Sequence, residues 1–191
     1  MPPVRLERAN LRRVPLERPG PLTLRTTLAG LGPAERARTL FVPALAGAPE
    51  ALFDLLALLP VCDVNGALTA CLAAGALGEG PAPVAGLFCV DPFLRVPDLA
   101  EALLAAGLRR VANYPSIQAI DGETGRTIAA VGYGPQEEIA TLVRLREAGL
   151  APVGCAASAA FAAELAAAGI APVLAIPALG SGGLTFGPFT P

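Results

Sequence analysis

Two polar residues, Asp91 and Asn113, each stand directly after a short apolar run, and Asp121 begins a polar loop further along the chain. A carboxylate at Asp91 could bind a divalent cation or orient a substrate, although Asp before Pro is also a common turn residue. Asn113 can donate to and accept from a carbonyl or phosphate group, or it can bond its own loop backbone. Asp121 and Gly122 could form a simple turn, but a polar loop of this kind often lines a site. The residues alone leave both interpretations open at each position.

A glycine-rich run, Gly180-Ser181-Gly182-Gly183, follows the last apolar run of the sequence. Its backbone N–H groups could bind an anion, as barrel loops commonly bind phosphate. A flexible tail would have the same composition. The run is therefore interpreted either as an anion site or as a tail.

The elements that must position these residues follow a repeating pattern, which begins at residue 38 and consists of an Ala- and Leu-rich helix, then Ala-Gly, then a short apolar run. Gly107, Gly149 and Gly169 stand where a helix C-terminus needs a left-handed residue, and Ser158 is a candidate helix cap. This alternation is typical of a parallel sheet with helices between its strands. It predicts strands at about 40–44, 84–90, 109–113, 152–156 and 172–176, and helices at about 49–59, 64–75, 97–106, 135–148 and 158–168.

These elements fit part of a (β/α)₈ barrel or an open doubly wound sheet, and both architectures carry their chemistry at the carboxyl ends of the strands. A full barrel usually takes about 250 residues, whereas this chain has 191. We therefore expect an α/β fold with a parallel TIM-barrel-like sheet that is incomplete, with about five to six strands and helices outside. Residues 1–37, rich in Pro, Arg and Glu, are interpreted as an N-terminal arm with one strand near Leu22, and residues 38–191 as the α/β domain.

Composition excludes several classes of protein. Hydrophobic residues make up 53% of the chain and charged residues 16%, which is too apolar for a disordered protein. The uncharged stretch after Glu164 is interrupted by Pro and Gly, so we expect no membrane span, and early charges argue against a secretory signal and for a cytoplasmic protein. The four cysteines form no CxxC pair, which disfavours zinc and dithiol chemistry. The Arg residues near the start are interrupted by Glu and lack interleaved aromatics, so nucleic acid is not an expected partner.

Several segments resemble, in order, the phosphoenolpyruvate hydrolase-like TIM-barrel family of the phosphoenolpyruvate/pyruvate barrel superfamily. Val90-Asp91-Pro92-Phe93 resembles the family's Thr-Asp-Pro-Phe, and Val111-Ala112-Asn113-Tyr114-Pro115-Ser116 resembles its Val-Gln-Asn-Phe-Pro-Thr. Further resemblance lies in residues 58–67, 120–122, 132–134 and 179–183, so that it covers about residues 38–184.

The resemblance implies a site for a small phosphorylated or 2-oxo acid, with Mg²⁺ or Mn²⁺ and no organic cofactor. The catalytic residues that it implies are Asp91, Asn113, Asp121 and Tyr133, of which Asp91 and Asp121 would be the metal ligands. Those implied to bind substrate or phosphate are Asp63, Asn65, Ser116, Gly180, Ser181, Gly182 and Gly183.

The chain also departs from the family pattern. Ala129 and Ala130 replace an acidic pair of the family, and the sequence contains no His. Two functions stay open: a hydrolase or lyase of the phosphoenolpyruvate/pyruvate type, and a catalytically inactive homologue that binds a small anion or a partner. Because an incomplete sheet has open strand edges, we also expect a homo-oligomer or a partner subunit that covers them.

Overall fold

A computed structural model describes residues 20–56, 62–178 and 184–190. Within these residues seven strands form one sheet in the order β6-β5-β4-β3-β2-β1-β7. The strands are β1 (Leu22–Arg25), β2 (Thr39–Phe41), β3 (Val84–Gly86), β4 (Arg110–Ala112), β5 (Ala151–Ala156), β6 (Val173–Ala175) and β7 (Thr185–Phe186). Strands β1 to β6 are parallel to their neighbours, and β7 is antiparallel to β1. The predicted α/β fold with a parallel barrel-like sheet and outer helices is confirmed.

Helices connect the strands, and two of those described start at a side-chain cap, Asp63 and Ser158. They are α1 (Pro33–Ala37), α2 (Phe53–Leu56), α3 (Val64–Ala73), α4 (Val96–Ala105), α5 (Gly122–Ala130), α6 (Pro135–Glu147) and α7 (Ala159–Ala167), with 3₁₀ turns at Pro43–Leu45, Glu50–Leu52 and Ile117–Ala119. The predicted cap Ser158 is confirmed, because its Oγ accepts from the backbone N–H of Phe161 at 3.2 Å. Gly107, Gly149 and Gly169 have φ of 78°, 97° and 73°. These values confirm the left-handed helix ends that the Ala-Gly pattern predicts.

The last described segment nearly closes the sheet into a barrel. Strand β7 pairs with β1, and just beyond it the backbone N–H of Phe189 donates to Val173 O at 3.0 Å. On the same side, Ala175 N–H donates to Gly187 O at 2.8 Å. The sequence did not predict this closure. Both outer strands of the parallel series, β1 and β6, are thus bonded to residues of the same chain, so the open strand edges that we expected are absent from the described part.

Strand alternation divides the apolar residues into two cores. Leu40 and Val84 belong to a cluster inside the barrel, together with Phe186 of the closing strand, which is 1% exposed. Their neighbours Phe41 and Ala85 belong to a second cluster between the sheet and the helices. Successive side chains of a strand point to opposite faces, so β2 and β3 each contribute to both cores. The strands have only two to six residues, so the loops that follow them begin close to the core inside the barrel.

The segment interpreted as an N-terminal arm contributes to this barrel. Leu22–Arg25 form strand β1, which pairs in parallel with β2 through Leu24 and Leu40. Residues 1–19 lie outside the described part of the chain. Among the described helices, none has both the length and the apolar composition needed to cross a membrane.

Candidate active site

A cavity of about 310 Å³ opens where strands β4, β5 and β6 end, and we call it the mouth cavity. Its lining comes from the segments that follow these strands, including Tyr114, Ser116, Gln118, Asp121, Ala157 and Ile176. Tyr114 stacks edge-on against Phe186 of the closing strand, with ring centroids 4.7 Å apart. Asp121 is the one charged side chain among these lining residues. The volume is at the lower end of the range for small-molecule sites.

A buried carboxylate, Glu138 in the first turn of α6, stands behind this cavity and is 0% exposed. Its Oε2 accepts from Asn113 Nδ2 at 2.8 Å and from Ser116 Oγ at 2.9 Å. It also accepts from Gln118 Nε2 at 3.1 Å, while Oε1 accepts from the backbone N–H of Ile117 at 2.7 Å. Because Ser116 and Gln118 also line the mouth cavity, they connect the cavity to Glu138.

Asn113 holds the network to the neighbouring strand. Its Oδ1 accepts from Cys155 N at 2.6 Å, and its Nδ2 donates to Cys155 O at 2.9 Å as well as to Glu138. The predicted site residue Asn113 is therefore 0% exposed and bonds both backbone groups of a β5 residue. Gln118 adds a second link to this strand, because its Oε1 accepts from Ala157 N at 2.9 Å. The loop after β4 is thus fixed on β5 and α6 together.

Burial raises the pKa of Glu138 from its ordinary 4.5 to about 7. The loss of hydration penalises the ionised form, and the hydrogen bonds from Asn113, Ile117, Ser116 and Gln118 oppose this effect without cancelling it. A carboxyl group with this pKa exchanges its proton near neutral pH. That property is the one that general acid and base catalysts need.

Glu138 and Gln118 were missed as site residues at the level of sequence. The signal for Glu138 was present in the spacing, because it precedes Thr141, Leu142 and Leu145 by three, four and seven positions, and all four are buried in α6. An acidic residue on the buried stripe of a helix is unusual and needs hydrogen-bonding partners. Gln118 gave no such signal, because its role depends on contacts with a distant strand.

A second cavity, of about 430 Å³, lies beside α3 and α4 and brings together Asp63, Asn65 and Asp91. Asn65 Nδ2 donates to Asp91 Oδ2 at 2.9 Å, and Asp91 Oδ1 accepts from the backbone N–H of Phe93 at 2.8 Å. Asp63 caps α3, since its Oδ1 accepts from Gly66 N at 2.7 Å. Three of the predicted site residues therefore lie together, but in a different cavity from Ser116 and Asp121.

The remaining predicted residues are distributed between other places. Tyr133 is 40% exposed and lines a third cavity, of about 220 Å³, to which Asp91 also contributes. Asp121 is exposed at the N-terminus of α5 and lines the mouth cavity. The glycine run, Gly180, Ser181, Gly182 and Gly183, lies outside the described residues.

The described residues do not form a protein-built metal centre. No three His, Cys, Asp or Glu side chains lie together as metal ligands in this part of the chain. The two predicted ligands, Asp91 and Asp121, line different cavities, and each carboxylate oxygen of Asp91 already accepts a hydrogen bond. Because Mg²⁺ usually binds through one or two carboxylates together with waters and substrate oxygens, Mg²⁺ or Mn²⁺ stays a prediction, but the structure does not bring Asp91 and Asp121 together as joint ligands.

Comparison with known proteins agrees with the resemblance seen in the motifs. A family model described as phosphoenolpyruvate hydrolase-like matches residues 54–186. An uncharacterised protein of Sinorhizobium fredii (strain NBRC 101917 / NGR234), y4oT, is 36% identical over 151 residues, which are 78% of this chain and 76% of that protein. With the barrel fold and the matched segments, these findings show that the chain belongs to the phosphoenolpyruvate hydrolase-like family.

Proposed function

We propose that the protein acts on a small phosphorylated or 2-oxo acid in the mouth cavity, as a hydrolase or lyase of the phosphoenolpyruvate/pyruvate type. The observation that carries this proposal is the bonded pair Ser116 and Glu138, which joins the cavity to a buried carboxyl group that titrates near neutral pH. Membership in the phosphoenolpyruvate hydrolase-like family supports the class of substrate.

The proposed role of the pair is proton transfer. A hydroxyl group can accept one proton while it donates its own, so Ser116 can pass a proton between the cavity and Glu138. A carboxyl group with a pKa near the working pH can both take up and return that proton. A substrate atom that gains negative charge in the cavity would receive a proton from Glu138 by this route, and Asn113 would keep Glu138 oriented throughout.

A catalytically inactive homologue that binds a small anion or a partner is the second candidate. Ala129 and Ala130, which stand in place of an acidic pair of the family, and the absence of His from the 191 residues favour it. Mg²⁺ or Mn²⁺ as cofactor, a cytoplasmic location and self-association stay predictions in either case.

The test is thermal unfolding of the full chain with phosphoenolpyruvate, oxalate, pyruvate or phosphate, each with and without Mg²⁺ or Mn²⁺. A ligand at about 100 times its dissociation constant adds about 2.7 kcal/mol to the free energy of unfolding. For a protein of this size that energy raises Tm by about 5–10 °C. Release of phosphate from phosphoenolpyruvate then separates an enzyme from a binding protein.

Two variants identify the cavity. Ala157→Leu places a larger side chain in the mouth cavity and should abolish the shift, whereas Asp91→Asn changes the cavity beside α3 and should preserve it. Loss of the shift in Asp91→Asn and its retention in Ala157→Leu would instead place the ligand in the cavity that contains Asp91. A shift without turnover would favour the inactive homologue. No shift with any ligand would refute the proposed activity and small-anion binding, and would leave the partner-binding homologue.

A further inference from the structure

The mouth cavity presents a problem of charge for an anionic ligand. No Arg or Lys is among its described lining residues, and its charged side chain, Asp121, is itself negative. The ionised form of Glu138, directly behind Ser116, would repel an anion as well. A site for phosphorylated or 2-oxo acids needs a compensating positive charge or the loss of a negative one.

Other ionisable groups near Glu138 do not supply that compensation. The thiols of Cys155 on β5 and Cys89 after β3 are buried, and burial together with the charge of Glu138 raises their pKa values, so both are neutral. Along α6, Arg144 bonds Glu137 and Thr141. Glu138 is therefore the group whose charge can change.

The geometry defines where a proton on Glu138 would lie. Three of its four partners donate through N–H groups, which cannot accept a hydrogen bond, whereas the hydroxyl of Ser116 can donate or accept. A proton on Oε2 is therefore directed at Ser116 Oγ. This oxygen already accepts from Gln118 Nε2 at 2.7 Å and from the backbone N–H of Gln118 at 3.3 Å, so the longer of these two bonds must yield to the new one. The hydroxyl hydrogen of Ser116 is then released from Glu138 and can turn toward the mouth cavity.

We propose that the mouth cavity binds a small anion together with one proton, which Glu138 takes up, and that the Ser116 hydroxyl then donates to the bound anion. This inference rests on the proposed function and explains how a cavity without a positive side chain among its described lining residues can bind a negatively charged ligand. The anion raises the proton affinity of Glu138 by repelling its ionised form, and the proton removes one negative charge from behind the cavity. Binding and protonation favour each other, as linkage requires.

The predicted signature is a dependence of affinity on pH. In the protein without a bound anion, Glu138 has a pKa of about 7. Above that pH, anion binding requires the uptake of a proton from solution, whereas below it Glu138 already carries the proton. Oxalate is a suitable probe, because both of its carboxylates remain ionised over the range used. Its dissociation constant should be roughly tenfold larger at about pH 8 than at about pH 6.

The experiment is isothermal titration calorimetry of the full chain with oxalate at both pH values, in buffers of different ionisation enthalpy. We expect uptake of about one proton per oxalate at about pH 8 and almost none at about pH 6. Glu138→Gln, which cannot ionise, should bind with the same affinity at both pH values and without proton uptake. Asp121→Asn, the matched change at the exposed carboxylate, should keep the pH dependence of the wild type.

If Glu138→Gln does not fold, infrared spectroscopy of the wild type provides the test. Oxalate added at about pH 8 should increase the carbonyl band of a protonated carboxylic acid. Binding that is independent of pH, binding without proton uptake, or loss of the pH dependence in Asp121→Asn would overturn this inference and leave the proposed function standing. No oxalate binding at either pH would also overturn this inference, and the thermal unfolding with phosphoenolpyruvate, pyruvate and phosphate would then decide the proposed function.

Discussion

The stability of the protein should fall as the pH rises from acidic to slightly alkaline values, because the pKa of Glu138 is raised on folding. Its carboxyl group has an ordinary pKa of 4.5 and a pKa of about 7 in the folded protein, mainly because burial penalises the charge. The folded state therefore holds the proton more tightly than the unfolded chain does. Stability from this group is fully present below a pH of about 4.5 and is lost as the pH rises through about 7.

The magnitude follows from the two pKa values. The difference between 4.5 and about 7, at about 1.4 kcal/mol for each pKa unit, corresponds to about 3 kcal/mol. That is a large fraction of the 5–15 kcal/mol by which folded proteins are typically stable, and it equals roughly 6–12 °C in Tm for a chain of this size. The perturbation is Glu138→Gln, which keeps the shape of the side chain and removes its titration.

The assay is urea unfolding of wild type and variant at several pH values between about 5 and about 8. The variant can be less stable at every pH, but the difference between the two proteins should shrink by about 2–3 kcal/mol between about pH 5 and about pH 8. Glu147→Gln, an exposed change on the same helix, should give a curve parallel to that of the wild type. Parallel curves for wild type and Glu138→Gln would refute the inferred protonation behaviour of Glu138.

Two further predictions concern the barrel itself. Gly86→Ala should lower the free energy of unfolding by about 1–3 kcal/mol, because the new Cβ would lie 2.6 Å from the backbone oxygen of Tyr114. At Gly187 a new Cβ would have no atom within 4 Å. Gly187→Ala should therefore change stability by less than about 0.5 kcal/mol in the same urea titration. Phe186 lies on the closing strand and is 1% exposed, so Phe186→Ala should cost about 3–5 kcal/mol by thermal or urea unfolding. Phe93 is 89% exposed, so Phe93→Ala should be nearly neutral. Equal losses for the two Phe variants would contradict the closure by β7.

The repeating part of the fold was predictable because its signals are local. A glycine at Gly107, Gly149 or Gly169 ends a helix through its own φ, and Ser158 starts one through a bond to Phe161 three residues on. Each of these features lies within a few residues of the sequence. The order of helix and strand could therefore be read without knowledge of the tertiary contacts.

The elements that were missed depend on contacts between distant segments. Strand β7 has two residues, Thr185 and Phe186, and it exists because β1 lies beside it, about 160 positions earlier in the chain. Helix α5 was not predicted because its sequence is largely polar and contains Gly122 and Gly125, and none of its residues is buried. Predicting a barrel closed by an antiparallel segment requires knowledge of the whole sheet.

In the candidate site, too, local features were predictable and contacts between distant residues were not. Asp91 and Asn113 were selected because they follow apolar strands, and the structure gives each of them specific hydrogen-bond partners. Asp91 lines the cavity beside α3 and α4, whereas Asn113 is buried behind the mouth cavity. This difference could not be predicted from position along the chain, since both residues follow strands of one sheet. The connection of Asn113 to Glu138 joins residues that are 25 positions apart, and only the buried stripe of α6 indicated it.

The chemistry of Glu138 results from two opposed demands on one side chain. Four donors converge on it, and an ionised carboxylate, with two oxygens that only accept, satisfies them best. Burial away from water favours the neutral form instead. Because these effects nearly balance, a modest additional charge in the mouth cavity is enough to change the protonation state. The contacts that fix the loop after β4 therefore also make Glu138 responsive to an anion bound beside Ser116.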